Sequence, residues 1–113
     1  MPCLYLSTNV NLEGLDIQPI FSATTNAISA ITGKPDTHIM VLLKGSVPIS
    51  FGASCSEPAA YGELVALGGI TKAVKRELIA TLGMILQESK LGVPRTRFFL
   101  KVVDLSTPMG SKL

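Results

Sequence analysis

The chain has 113 residues, 47% of them hydrophobic and 16% charged, a length that suits one domain with a substantial core. Its net charge of +2 and aromatic content of 5% argue against a nucleic-acid partner, which calls for a basic surface and stacking platforms. The opening MPCLYLSTN lacks the basic and apolar regions of a signal peptide, and no stretch reaches the roughly 18 apolar residues that cross a bilayer. A chain this short buries a modest share of its surface, so its apolar excess favours an oligomer.

The first segment, Cys3 to Thr8, alternates with Leu4 and Leu6 on one side, which predicts a strand. Asn9 to Gly14 reads as a loop. Asp16 stands where it can cap a helix whose apolar stripe is Ile17, Ile20, Phe21, Ile28 and Ile31. Gly33 ends that helix and Pro35 prevents its resumption. His38 to Leu43 is a continuous apolar run, the pattern of a strand buried on both faces. Ser46 to Gly52 predicts a short strand, placed at an edge by Pro48. After a loop over Ser54 to Pro58, Ala60 to Leu67 predicts another strand, stopped by Gly68-Gly69. Thr71 caps a second helix with Val74, Leu78, Leu82, Ile85 and Leu86 at helical spacing. Gly92 and Pro94 end it, and Arg97 to Asp104 forms the last strand.

The two halves repeat. Gly33, Pro35 and Thr37 recur 59 positions later as Gly92, Pro94 and Thr96, each set between a helix and an apolar strand. The chain therefore reads as two β-α-β units, each with a helix crossing over between parallel strands. Joined, they predict an α/β (α+β) fold: one four-stranded sheet with both helices on one face. The other face is apolar too and needs a cover, for which subunits packed around an axis suffice.

Several residues have plain structural readings. Cys3 and Cys55 lack CxxC or metal spacing and read as reduced thiols, with a disulfide between them left open. Lys72, Lys75 and Arg76 read as a solvated helix face, and His38 as structural. Glu63 faces either a subunit boundary or water. The terminal Ser111-Lys112-Leu113 matches the tripeptide read by peroxisomal import receptors, which predicts a peroxisomal address, with the cytoplasm as a second compartment.

The ordered set Met1-Pro2, Thr8-Asn9-Val10, Thr32-Gly33-Lys34-Pro35, Phe51-Gly52, Glu57-Pro58, Gly68 and Asp104 resembles the macrophage migration inhibitory factor and D-dopachrome tautomerase family over residues 1–104. The import-like tripeptide in place of an apolar tail suggests a plant-type relative. The resemblance implies a tautomerase-like fold and a homotrimer with a pocket at each subunit boundary. It further implies keto–enol tautomerisation of small aromatic α-keto acids such as phenylpyruvate, with no metal or cofactor. The family uses its N-terminal proline as general base, which assigns that part to Pro2.

Such a base needs Met1 removed, because only then is the Pro2 nitrogen a secondary amine. An ordinary α-amino group has a pKa of ~7.7–8.0, and an apolar site or nearby cations lower it toward the useful range. By the same resemblance Lys34 holds the substrate carboxylate and Leu67 supplies backbone and apolar surface. Phe99 and Lys101 stand where the inhibitory-factor branch has tyrosine and asparagine, contributed by the neighbouring subunit. Phe99 keeps an aromatic wall without the hydroxyl, and Lys101 adds a cation reminiscent of the D-dopachrome branch. A lost substrate hydrogen bond can cost much activity, so weak turnover of standard substrates is expected. Ala59 and Gly62 occupy the family's CxxC positions, which predicts no thiol redox activity. The alternative is a cytokine-like interaction protein that binds a receptor through its surface with little or no catalysis. A peroxisomal scaffold without catalysis is a third reading.

Overall fold

The computed structural model describes residues 1–106; the Ser111-Lys112-Leu113 motif lies outside the described residues. Strand β1 (Cys3–Thr8) feeds helix α1 (Gln18–Thr32) and strand β2 (Met40–Lys44). Strand β3 (Ala60–Ala66) feeds helix α2 (Lys72–Glu88) and strand β4 (Phe98–Asp104). The strands form one sheet in the order β2-β1-β3-β4. β1 runs parallel to β2, and β3 parallel to β4, while the central pair β1–β3 is antiparallel. Both halves are thus β-α-β units, as their repeat predicts.

The repeat extends to backbone geometry. A 3-10 turn follows each helix, at Asp36–His38 and at Arg95–Arg97. Pro35 and Pro94 enter these turns with nearly the same dihedrals, φ −62° and ψ 142° against φ −59° and ψ 143°. Gly33 takes φ 75° at the end of α1, a left-handed conformation that costs glycine little. The Thr71 hydroxyl accepts the Val74 N–H at 3.1 Å and caps α2. At α1 the side-chain acceptor is Asp16, which takes the Gln18 N–H at 3.1 Å, although Ile17 occupies the cap position.

One face of the sheet carries the core. Leu4, Leu6 and Leu64 are fully buried against Ile20 and Ile28 of α1 and Leu78, Leu82 and Leu86 of α2. Thr24, midway along the α1 stripe, is also fully buried. Its hydroxyl donates to the Ile20 carbonyl at 2.8 Å, so a polar side chain sits in the core without an unmet bond. Gly62 fits tight packing: a Cβ there would lie 2.9 Å from a terminal methyl of Leu100 and 3.0 Å from one of Leu6, which would have to shift.

Two expectations are corrected. β2 is not buried on both faces: it is an edge strand, with Met40 and Leu42 exposed at 55% and 44%. Both helices cover the same face, so its other side has no cover within the chain. His38 belongs to the preceding 3-10 turn rather than to the strand. The predicted edge strand over Ser46 to Gly52 does not form. Ser46 and Val47 donate to the carbonyls of Val10 and Thr8, but beyond Pro48 only a Phe51–Ser54 bridge appears.

Arg97 explains that departure. Its buried guanidinium donates to the carbonyls of Pro58, Phe51, Ser54 and Glu57 at 2.9–3.2 Å. Its Cζ sits 5.4 Å from the centre of the Phe51 ring, within range of a cation–π attraction. One side chain thus gathers the carbonyls of residues 51–58 inward, where a ladder would need them turned along a strand. Asn9 completes the anchor, donating to the Glu57 carbonyl and accepting the Ala59 N–H. Replacing Arg97 by Met should lower unfolding stability in urea by roughly 1–3 kcal/mol, since four partly buried carbonyls lose a charged donor. Arg97→Lys should recover only part of the loss, because an ammonium cannot match the guanidinium fork.

Candidate functional site

The antiparallel register brings the start of β1 beside the end of β3. Cys3 pairs with Val65, so Pro2 lies next to the chain as it leaves β3. The Pro2 side chain is fully buried, whereas Met1 is 70% exposed. The Pro2 carbonyl accepts the Met40 N–H at 3.1 Å and ties the N-terminal residue to the start of β2.

Lys34 approaches the same end of the sheet from the end of α1. Its ammonium donates to the Leu67 carbonyl at 3.2 Å. Three of the residues singled out in the sequence, Pro2, Lys34 and Leu67, therefore meet at one end of the sheet. Leu67 is 56% exposed and presents an apolar side chain beside the cation.

Leu67 opens a turn at Gly68-Gly69, where the sequence predicts the end of a strand. Gly68 and Gly69 take φ 84° and φ 82°, and the Asp104 carboxylate holds them from the end of β4. One carboxylate oxygen accepts the Gly68 N–H at 2.8 Å and the Ser106 N–H at 2.9 Å, while the other accepts the Ile70 N–H at 3.4 Å. The Ser106 hydroxyl donates at 2.6 Å. Ser106, then the Gly68 N–H, hold the Asp104 pKa down from 3.8 to about 2. Asp104 thus fixes the turn that follows Leu67. Its place in the ordered motif is the signal in the sequence; of its partners, Ser106 is two residues away, but Gly68 and Ile70 are 36 and 34 positions away.

Phe99 and Lys101 are not brought to Pro2 within the chain. Both lie on the face of β4 away from the helices. Phe99 pairs in register with Tyr61, and Lys101 with Glu63. Pro2 is about 17 Å along the strand direction from the Phe99 row and about 10 Å from that of Lys101, at ~3.3 Å per residue. Phe99, 59% exposed, stacks on Tyr61 with centroids 5.9 Å apart and an interplanar angle of 9°. The Tyr61 hydroxyl donates to Glu63 at 2.7 Å, and this bond, with some burial, raises the phenol above 10.0. Glu63 thus has a partner in its own chain.

Cys3 and Cys55 are both free thiols. Among the described residues, no group of His, Cys, Asp or Glu is placed to hold a metal ion, and no helix is long and apolar enough to cross a membrane.

A mixed four-stranded sheet built from two β-α-β units, with a buried Pro2 at the sheet end that Lys34 approaches, defines a protein of the tautomerase fold class. The family model described as "Macrophage migration inhibitory factor (MIF)" matches residues 1–112, and the chain belongs to this family. It is 34% identical over 107 residues to a macrophage migration inhibitory factor homolog of Trichinella spiralis, covering 94% of this chain and 90% of that protein. A homolog from Trichuris trichiura is 32% identical over 105 residues, covering 93% and 90%. The solved Trichinella spiralis structure superposes with a TM-score of 0.81 at 31% identity, covering 91% of this chain and 88% of that one. Leishmania major MIF2 gives a TM-score of 0.84 at 22% identity, covering 94% and 90%, a likeness of fold.

The Asp104 anchor has a pH signature. Its folded pKa lies below the ordinary value, so its contribution is complete above about pH 4 and is lost as pH falls through about 2. Urea unfolding measured across this range should show a stability loss in the wild type that Asp104→Asn lacks. The variant should also be the less stable of the two at pH 7.

Proposed function

We propose that this protein is a keto–enol tautomerase of small aromatic α-keto acids that uses the N-terminal amine of Pro2, freed by removal of Met1, as its general base. The observation that carries this reading is the buried Pro2 at the sheet end where Lys34 reaches the Leu67 carbonyl. Burial disfavours a charged amine and lowers its pKa, which favours the uncharged form that can take a proton. In the proposed reaction Pro2 removes a proton from the carbon beside the keto group and returns one at oxygen. Lys34 holds the carboxylate and keeps the reacting carbon within reach of the nitrogen. Family membership supports the chemistry, and no step requires a metal or cofactor.

The proposed working unit is a homotrimer. Met40, Leu42 and Phe99 expose apolar side chains on the face away from the helices, and a neighbouring sheet would cover them. Such packing also offers the route by which a neighbour's Phe99 and Lys101 approach Pro2. There Phe99 supplies a ring without a hydroxyl, and Lys101 adds a second positive charge. This rim differs from the inhibitory-factor pattern, which favours a shifted substrate preference.

The first measurement is the mass of the purified chain, which reports whether Met1 is gone. With processed protein, the decay of the phenylpyruvate enol should be catalysed, and Pro2→Gly should lower kcat/KM by about 100-fold or more, within the range for a positioned base. The pH profile of kcat/KM should rise to a plateau with its midpoint below the ~7.7–8.0 of an ordinary α-amino group. Lys34→Gln should raise KM with a smaller change in kcat. Equal inertness of processed wild type and Pro2→Gly toward several α-keto acids would sink the enzyme reading and favour the interaction protein. In sedimentation equilibrium the wild type should show the mass of three chains, and Leu42→Lys should shift it toward one.

A further inference from the structure

The opening of α2 carries three exposed cations, Lys72, Lys75 and Arg76, whose sequence reading is a solvated face. The structure separates Arg76 from the others. It lines a groove of about 580 Å³ between α2 and the 3-10 turn before β4, with Arg95 and Thr96 contributed by that turn. Ile79, Gly83 and Phe98 supply apolar surface. Gly83 is buried mid-helix, and a Cβ there would stand 3.6 Å from the Phe98 ring and 3.9 Å from the Arg95 stem. No carboxylate lines the groove. Among the described residues neither guanidinium has a hydrogen-bond or ion-pair partner. Arg97, two residues after Arg95, is the contrast: its guanidinium is used up on backbone carbonyls.

We propose that this groove binds a small amphiphilic oxyanion, a phosphate or carboxylate head on an apolar body. Arg76 and Arg95 take the head, with the Thr96 hydroxyl as a further donor, and the body rests on Ile79, Gly83 and Phe98. Guanidinium groups remain charged at all working pH and offer paired donors that match two oxygens of such a head. The volume falls within the range of small-molecule sites. The groove lies on the helix side of the sheet, so covering the opposite face leaves it open. Phe98 starts β4 opposite Ala60, which in turn pairs with Thr8, so the groove is about 20 Å along the strand direction from Pro2 at ~3.3 Å per residue. The site is therefore distinct from the one at Pro2 and independent of the tautomerase reading.

The test is a titration of 15N-labelled protein with phenyl phosphate, followed by amide chemical shifts, with inorganic phosphate and phenol as separate arms. Saturable shifts are expected at Ile79, Gly83 and Thr96, with phenyl phosphate binding at least fivefold more tightly than either fragment. Arg76→Gln and Arg95→Gln should each weaken it at least fivefold. Gly83→Ala, a change that favours helix, should weaken phenyl phosphate more than inorganic phosphate, because the methyl enters the apolar floor. Shifts confined to other residues, unchanged affinity in both arginine variants, or equal binding of either fragment would each overturn the proposal. Arginine-dependent sedimentation with vesicles of phosphatidic acid in phosphatidylcholine, without phenyl phosphate binding, would overturn it in favour of a lipid surface.

Discussion

The antiparallel pairing of β1 with β3 joins the two halves of the molecule, and nearly every other feature depends on its register. Leu4 faces Leu64 and Leu6 faces Gly62, which sets the residues of both strands that meet the helices on the same side. A slip of one residue would turn Leu4 and Leu6 to the opposite face and expose them. The same register puts Pro2 beside the turn that begins at Leu67. Core and candidate site are therefore two consequences of one alignment. Gly62 lets the pairing close, since Leu6 and Leu100 already occupy the space a side chain would need.

Around this pair, charged side chains organise irregular backbone. Arg97 does so at one end of the sheet, where its guanidinium binds carbonyls of the long connection between the halves. Asp104 does so at the other, where its carboxylate binds N–H groups of the Gly68–Ile70 turn. The two groups bracket β4: Arg97 immediately precedes it and Asp104 is its last residue. A cation meets acceptors and an anion meets donors, so each charge is matched to the backbone groups that helices and strands leave unpaired. The strand is thereby tied at both ends to loops that contain or support residues of interest.

The two sheet faces differ in what they ask of the surroundings. The helix side is closed by leucines and isoleucines from both units. The other side mixes apolar residues, such as Met40, Leu42 and Phe99, with the Tyr61–Glu63 hydrogen bond and the side chain of Lys101. An apolar surface of this kind on an edge strand favours contact with another chain. In the proposed trimer that contact would also complete the pocket, so assembly and catalysis would draw on the same residues.

The sequence by itself determined the local elements and their repetition. Glycine and proline stops, the Thr71 cap and the helical spacing of the leucines act over a few residues, and these signals place both helices and all four strands to within a few residues, with one strand too many at Ser46 to Gly52. The match of Gly33, Pro35 and Thr37 to Gly92, Pro94 and Thr96 carried the duplication, and the ordered motifs carried the family. What only the tertiary structure decided were long-range matters. An apolar run such as His38 to Leu43 reads alike in a central strand and in an edge strand whose exposed face awaits a partner. The Ser46 to Gly52 segment has strand-forming residues, yet Arg97, more than 40 positions away, draws the adjoining loop into another shape. The use of Asp104, the separation of Phe99 and Lys101 from Pro2 within one chain, and the placing of Arg76 and Arg95 on one groove depend on which distant segments come together. Periodicity reports the environment of a residue relative to its near neighbours. It says nothing of the partner across the sheet, and that partner is what brings a buried proline, a lysine and a leucine to one end of the sheet.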